Sequence, residues 1–129
     1  MKYKEINCLI GIQHMDQRIE YIYVNWDGDI HGVGRILHTQ YQQREQVLEL
    51  IMTGSRQSLT YYDLQEDGSL LSDMHKPANV IENDMAYFEI THPTYPIDYY
   101  YLYTLDATWL VYDPPQRPCA LFTYFGPFS

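Results

Sequence analysis

The sequence predicts one α+β domain over residues 1–129, a mainly antiparallel sheet of about five strands with two short helices packed on it. Three observations carry this. Apolar runs of strand length with short polar connections occur early in the chain, from Ile6 to Trp26, and again late, from Tyr99 to Tyr112. Between them the apolar period becomes helical, starting at Val33. The chain has 129 residues, 46% hydrophobic and 19% charged, which supplies apolar surface for one core and excludes a disordered chain. No internal repeat or Gly/Ser-rich linker divides it.

The runs Ile6 to Ile12 and Ile19 to Trp26 flank His14-Met15-Asp16-Gln17-Arg18 and read as an antiparallel hairpin. In the second run Ile19, Tyr21, Tyr23 and Asn25 project to one face, and Glu20, Ile22, Val24 and Trp26 to the other. Neither face is strongly polar, so a central strand is expected. Trp26-Asp27-Gly28-Asp29 ends it, because Asp-Gly favours turns with positive φ. Val33, Ile36, Leu37 and Tyr41 then share a helical face, and Val47, Leu48, Ile51 and Met52 a second one after a bend near Gln42. Gly54 stands where a helix end favours a left-handed residue.

Further on, Leu59 to Leu64 reads as a short strand, Gln65 to Ser69 as a turn, Met85 to Ile90 as a strand and His92 to Pro96 as a loop. Tyr99 to Leu105 and Thr108 to Tyr112 form a tight hairpin about Asp106-Ala107. Pro114, Pro115 and Pro118 end the regular structure, and Leu121 to Phe125 adds either an edge strand or an aromatic tail.

Eight basic against seventeen acidic residues leave a formal charge of −9, which repels nucleic-acid backbones and attracts basic surfaces. Direct nucleic-acid binding is therefore not expected. Acidic residues concentrate between Ser55 and Asp84, where Asp63, Glu66, Asp67, Asp73, Glu82 and Asp84 face only Arg56 and Lys76. Cys8 and Cys119 match no metal spacing and are expected as free thiols. Met1 is followed by charged and polar residues, and no apolar run reaches membrane-spanning length, so a cytosolic chain is expected.

Gly32-Val33-Gly34 opens a helix after a strand, a context in which glycines let a phosphate approach helix N-terminal amides. Leu37 takes the place of a third glycine, no P-loop lysine exists, and Asp27 and Asp29 would repel a phosphate. A structural turn is expected there, with Gly32, Gly34 and Arg35 as the alternative nucleotide site. Asp27-Gly28-Asp29 fails as a calcium loop, since His31 and His38 fall where oxygen ligands are needed. His31 and His38 also lack a third zinc ligand. Neither cysteine has a basic or helix-N-terminal setting and no carboxylate pair stands out, so no catalytic residue, metal or cofactor is expected.

Fourteen tyrosines stand against four phenylalanines and two tryptophans. Tyr99, Tyr101 and Tyr103 share one strand face, with Trp109 and Tyr112 on the facing hairpin arm. Such a ladder serves as a core layer, a base-stacking platform or a protein-binding patch.

Tyr21-Ile22-Tyr23-Val24-Asn25-Trp26-Asp27-Gly28, then Gly34-Arg35-Ile36-Leu37 and Tyr41, then Val47 to Ile51 and Gly54, resemble a group of small proteins encoded by bacteriophages, prophages and other mobile elements. That group carries a Tyr-x-Tyr-x-x-Trp-Asp-Gly block, two short helices and a later Tyr-Leu-Tyr strand followed by Trp, here Tyr101-Leu102-Tyr103 and Trp109. Asn25 stands where the pattern leads one to expect a histidine, and Asp29 where it leads one to expect an aromatic. The resemblance implies a genetic setting in which small proteins neutralise host defences, and it transfers no catalytic residue.

The function expected from sequence and resemblance is a non-enzymatic inhibitor of a bacterial defence system, of the anti-CRISPR type. It would bind a Cas nuclease or surveillance complex through Asp63, Glu66, Asp67, Asp73, Glu82, Asp84, Tyr99, Tyr101 and Tyr103. One alternative is a sponge for a small nucleotide signal at Gly32, Gly34 and Arg35; another is a phage regulatory protein without a counter-defence role. Tyr-rich edges are also compatible with a homodimer.

Overall fold

A computed structural model describes residues 5–59 and 77–125. Strand β1 (Cys8–Gln13) pairs antiparallel with β2 (Ile19–Trp26), Cys8 opposite Val24 and Gln13 opposite Ile19. A π-helical turn, Ile30–Gly34, leads into α1 (Arg35–Gln40) and α2 (Arg44–Met52). Two short strands follow, β3 (Arg56–Ser58) and β4 (Asn79–Ile81), then α3 (Asp84–Phe88). The chain closes its sheet with β5 (Tyr99–Tyr103), β6 (Trp109–Tyr112) and β7 (Cys119–Ala120), and a 3-10 helix covers Leu121–Tyr124.

Six strands lie in the order β3-β2-β1-β5-β6-β7, and a seventh, β4, pairs with β2 beside β3. Four of the pairings are antiparallel; β1–β5 and β2–β3 are parallel. The α+β class and mainly antiparallel sheet agree with the sequence reading, with more than the five strands expected. β2 is interior, as its two-sided apolar pattern implied.

Alternation divides the core. On one face Ile10, Ile12, Ile22, Val24, Tyr101 and Val111 pack beneath Val33, Leu37, Val47, Leu50 and Ile51 of the helices. On the other, Leu9, Ile19, Tyr21, Tyr100 and Leu102 pack against Tyr87 of α3. Trp109 shares the helix face with Tyr101 and Tyr103, whereas Tyr112 lies on the opposite one. In α2 the buried stripe is Val47, Leu50 and Ile51; Met52, expected on it, is 83% exposed. The stripe follows the i, i+3, i+4 spacing from Val47, which Met52 misses.

The break between α1 and α2 leaves carbonyls without helical partners, a cost unless they are otherwise bonded. Two core aromatics supply the bonds: the Trp109 Nε1–H donates to the Tyr41 carbonyl (2.8 Å) and the Tyr103 hydroxyl to the Gln42 carbonyl (2.9 Å). Gly54 ends α2 at φ 86°, the left-handed conformation expected there.

The segment expected as a strand over Met85 to Ile90 is instead the helix α3. Asn83 accepts a hydrogen bond from the Ala86 amide (2.9 Å) and Asp84 sits in the first turn, so capping overrides the apolar run. The outer edge of β2 is meanwhile occupied by Asn79–Ile81, which was not expected as a strand. Leu121 to Phe125 forms the 3-10 helix and its end rather than an edge strand. The strand expected over 59–64 and the turn after it lie, apart from Leu59, outside the described residues.

Candidate functional site

Because β1 and β5 are parallel and each is one arm of a hairpin, the two hairpin turns share one end of the sheet. The opposite end collects the residues that enter β1 and β5 and those that leave β2 and β6. The sequence places a carboxylate in each of these four connections: Glu5, Asp98, Asp29 and Asp113.

At this second end Glu5, Ile6, Ile97, Asp98, Tyr99, Asp113 and Pro114 line an open groove of about 420 Å³. Its lining combines the apolar residues Ile6, Ile97 and Pro114 with Tyr99 and with the carboxylates of Glu5, Asp98 and Asp113. The Tyr99 ring stacks on Tyr101 with centroids 6.3 Å apart. Burial first, then the carboxylates of Asp113, Asp29 and Asp98, push the Tyr99 phenol above its ordinary range. Tyr124 stands close by: its phenol is raised mainly by a hydrogen bond with Cys119, with smaller effects from Asp113 and Tyr99.

The groove is held by backbone rather than by counter-charges. The Asp98 carboxylate accepts the Asn7 amide (3.0 Å), and the Asp98 amide donates to the Asn7 carbonyl (2.9 Å). The Asn7 side chain joins Pro96 and Asn25, fixing the entry to both central strands. Gly28 is required: a Cβ there would stand 2.6 Å from the Ile6 carbonyl oxygen. Its own carbonyl accepts the buried Tyr101 hydroxyl at 2.8 Å. Among the described residues no cation pairs with Glu5, Asp98 or Asp113; the ion pairs join His14 to Glu20 and Arg18 to Asp16 at the turn end.

The tyrosine ladder is divided by this geometry. Tyr101 and Tyr103 are core residues, which corrects their expected role as partner-binding tyrosines: both are buried, and both hydroxyls are spent on backbone carbonyls. Tyr99, at the strand start, stays half-exposed. Glu82 and Asp84 are exposed, but β4 pairs with the start of β2, so they lie toward the turn end, away from Tyr99. Asp63, Glu66, Asp67 and Asp73 lie outside the described residues.

The alternative nucleotide site at Gly32, Gly34 and Arg35 is closed. The Gly32 and Gly34 amides donate to the Asp29 carbonyl (3.0 and 3.2 Å), and the Val33 amide to the Asp27 carbonyl (2.8 Å), so none points at a phosphate. A Cβ at position 32 would stand 2.2 Å from the Asp27 carbonyl oxygen, so this glycine serves close packing. Arg35 is bonded to His31 (3.1 Å) and lies 4.9 Å over the Phe125 ring, which His38 stacks at 4.9 Å.

Cys8 is buried and Cys119 half-buried, both as thiols. Burial, then Asp29 and Asp98, push the Cys8 thiol well above its ordinary range, which disfavours the thiolate that a nucleophile needs. Among the described residues no three His, Cys, Asp or Glu side chains are arranged to hold a metal, and no helix is long and apolar enough to cross a membrane.

The carboxylates that do gather, Glu5, Asp29, Asp98 and Asp113, escaped the sequence reading because they are far apart in the chain. Their signal was positional: each stands within a few residues of a strand end, and only the parallel pairing of β1 with β5 brings those ends together. Comparison with known protein families, with curated proteins and with solved structures finds no match to this chain.

Proposed function

We propose that this chain is a non-catalytic binding protein that engages a basic surface of a protein partner through the acidic, tyrosine-bearing end of its sheet. The observation that carries the reading is the groove at Tyr99, whose carboxylates meet no cation among the described residues. Charge of one sign around a half-buried aromatic speeds and orients association with a surface of the opposite sign. The excess of nine negative charges acts in the same direction.

In line with the resemblance to phage-encoded proteins, the partner is a bacterial defence nuclease or its surveillance complex, met in the cytosol of the host. Such proteins carry basic channels for nucleic acid, and an acidic protein competes for them. The test adds the purified chain to an RNA-guided nuclease and follows DNA cleavage and the association rate. Inhibition is expected, with association slowing at least about tenfold from low to high salt as screening sets in. Unchanged cleavage across a panel of such nucleases removes the counter-defence reading, and a salt-independent association rate removes the acidic surface.

A further inference from the structure

We infer that the groove at Tyr99 receives a single arginine side chain of the partner, an inference that rests on the binding reading above. Its lining has two kinds of side chain: Ile6, Ile97 and Pro114 suit an aliphatic stem, and Glu5, Asp98 and Asp113 suit its charged head. Tyr99 in the same lining adds an aromatic group, which a planar guanidinium matches in shape and a compact ammonium does not.

One of the carboxylates is pre-positioned. Asp98 is tied to the Asn7 amide and keeps acceptor capacity, because an ionised carboxylate has about four lone-pair sites. Glu5 and Asp113 have no cation among the described residues. A guanidinium with five donors can therefore bridge two of these carboxylates while its plane lies on the phenol. Among the described residues Arg35 lies over Phe125, and no arginine lies over Tyr99.

The probe is acetyl-Gly-Arg-Gly-amide, titrated into the isotopically labelled full chain and followed by amide chemical shifts. The counterpart with citrulline has the same shape without the charge. Saturable shifts centred on Asn7, Asp98, Tyr99 and Asp113 are expected. The citrulline peptide should bind at least about tenfold more weakly, the loss expected when a charge-assisted contact is removed. Asp113→Asn should weaken arginine binding several-fold with the spectrum otherwise retained; Glu5→Gln serves as the second variant if the first disturbs the fold. Shifts centred elsewhere, such as Glu82 and Asp84, or equal responses to the two peptides, overturn the groove. Should the chain still inhibit a nuclease in that case, the binding function stands and only its arginine site falls.

Discussion

The two ends of the sheet handle charge in opposite ways. At the turn end, His14 meets Glu20 at 2.6 Å, Arg18 meets Asp16 at 2.7 Å, and Arg44 donates to the Gln13 carbonyl at 2.7 Å. At the strand-start end, the groove carboxylates find backbone amides or no cation among the described residues. Stability alone would favour pairing at both, since like charges held together repel. An end whose Glu5, Asp98 and Asp113 meet no cation among the described residues is suited to a cation from outside the chain.

The largest expected effect concerns the buried phenols between the two ends. Burial holds Tyr87 and Tyr101 well above the ordinary phenol value, and burial followed by Tyr21 raises Tyr23 to about 12. In the unfolded chain these groups ionise near their ordinary value of 10. The folded form keeps its protons longer, so this stability is complete below that pH and is lost as pH rises through the folded values. Urea midpoints at neutral pH and above pH 10 should show a steep fall; a flat profile would mean that these hydroxyls are open to water.

Next in size is Gly28→Ala at the acidic end. The added Cβ meets the Ile6 carbonyl oxygen at 2.6 Å and the Cys8 amide nitrogen at 3.1 Å, both parts of a backbone entering a central strand. A loss of about 1–3 kcal/mol is expected from urea unfolding, the usual cost of overpacking. At the turn end, Gln13→Ala removes bonds to Gln17 and to the Leu105 amide. Those bonds are exposed, and the expected loss is smaller, about 0.5–1 kcal/mol. Equal losses would erase the difference between the ends.

A smaller effect of opposite sign is expected at the turns. Gln17 (φ 76°) and Ala107 (φ 60°) hold left-handed backbone, and each turn closes in the same way, His14 with Arg18 and Thr104 with Thr108. Glycine relieves that strain but loses more entropy on folding, so Ala107→Gly, which removes no side-chain bond, should stabilise by up to about 0.5 kcal/mol. The smallest and most local change is Asp113→Asn, which removes the largest charge effect on Tyr99 after burial. The Tyr99 phenol should then titrate at lower pH by ring NMR, with Tyr103 unmoved.

Much of this architecture was legible in the residues. Alternation in Ile19 to Trp26 gave β2 and its two faces, and Gly54 marked the end of α2. Three features were not legible. Met85 to Ile90 is apolar enough for a strand, but the cap supplied by Asn83 and the prior occupation of the β2 edge by Asn79–Ile81 decide for a helix. Tyr101 and Tyr103 share a face with Tyr99, yet only packing of the helices separates two core phenols from one at the groove. The site itself depends on one long-range fact, that β5 lies parallel to β1. Local patterns carry the hairpins and say nothing about how two hairpins meet.

That same pairing governs how the chain reaches its fold. Cys8 pairs with Tyr99, so the two middle strands of the sheet come from opposite ends of the described chain. Closing so large a loop costs entropy before any contact repays it, and such topologies fold more slowly than ones built from neighbours. The first hairpin and its helices, when they emerge from the ribosome, have Cys8, Ile10 and Ile12 in place but not the strand that covers their edge. Until residues 99–103 arrive, that edge is open to any other extended chain, which makes the interval of synthesis the time of greatest risk for aggregation.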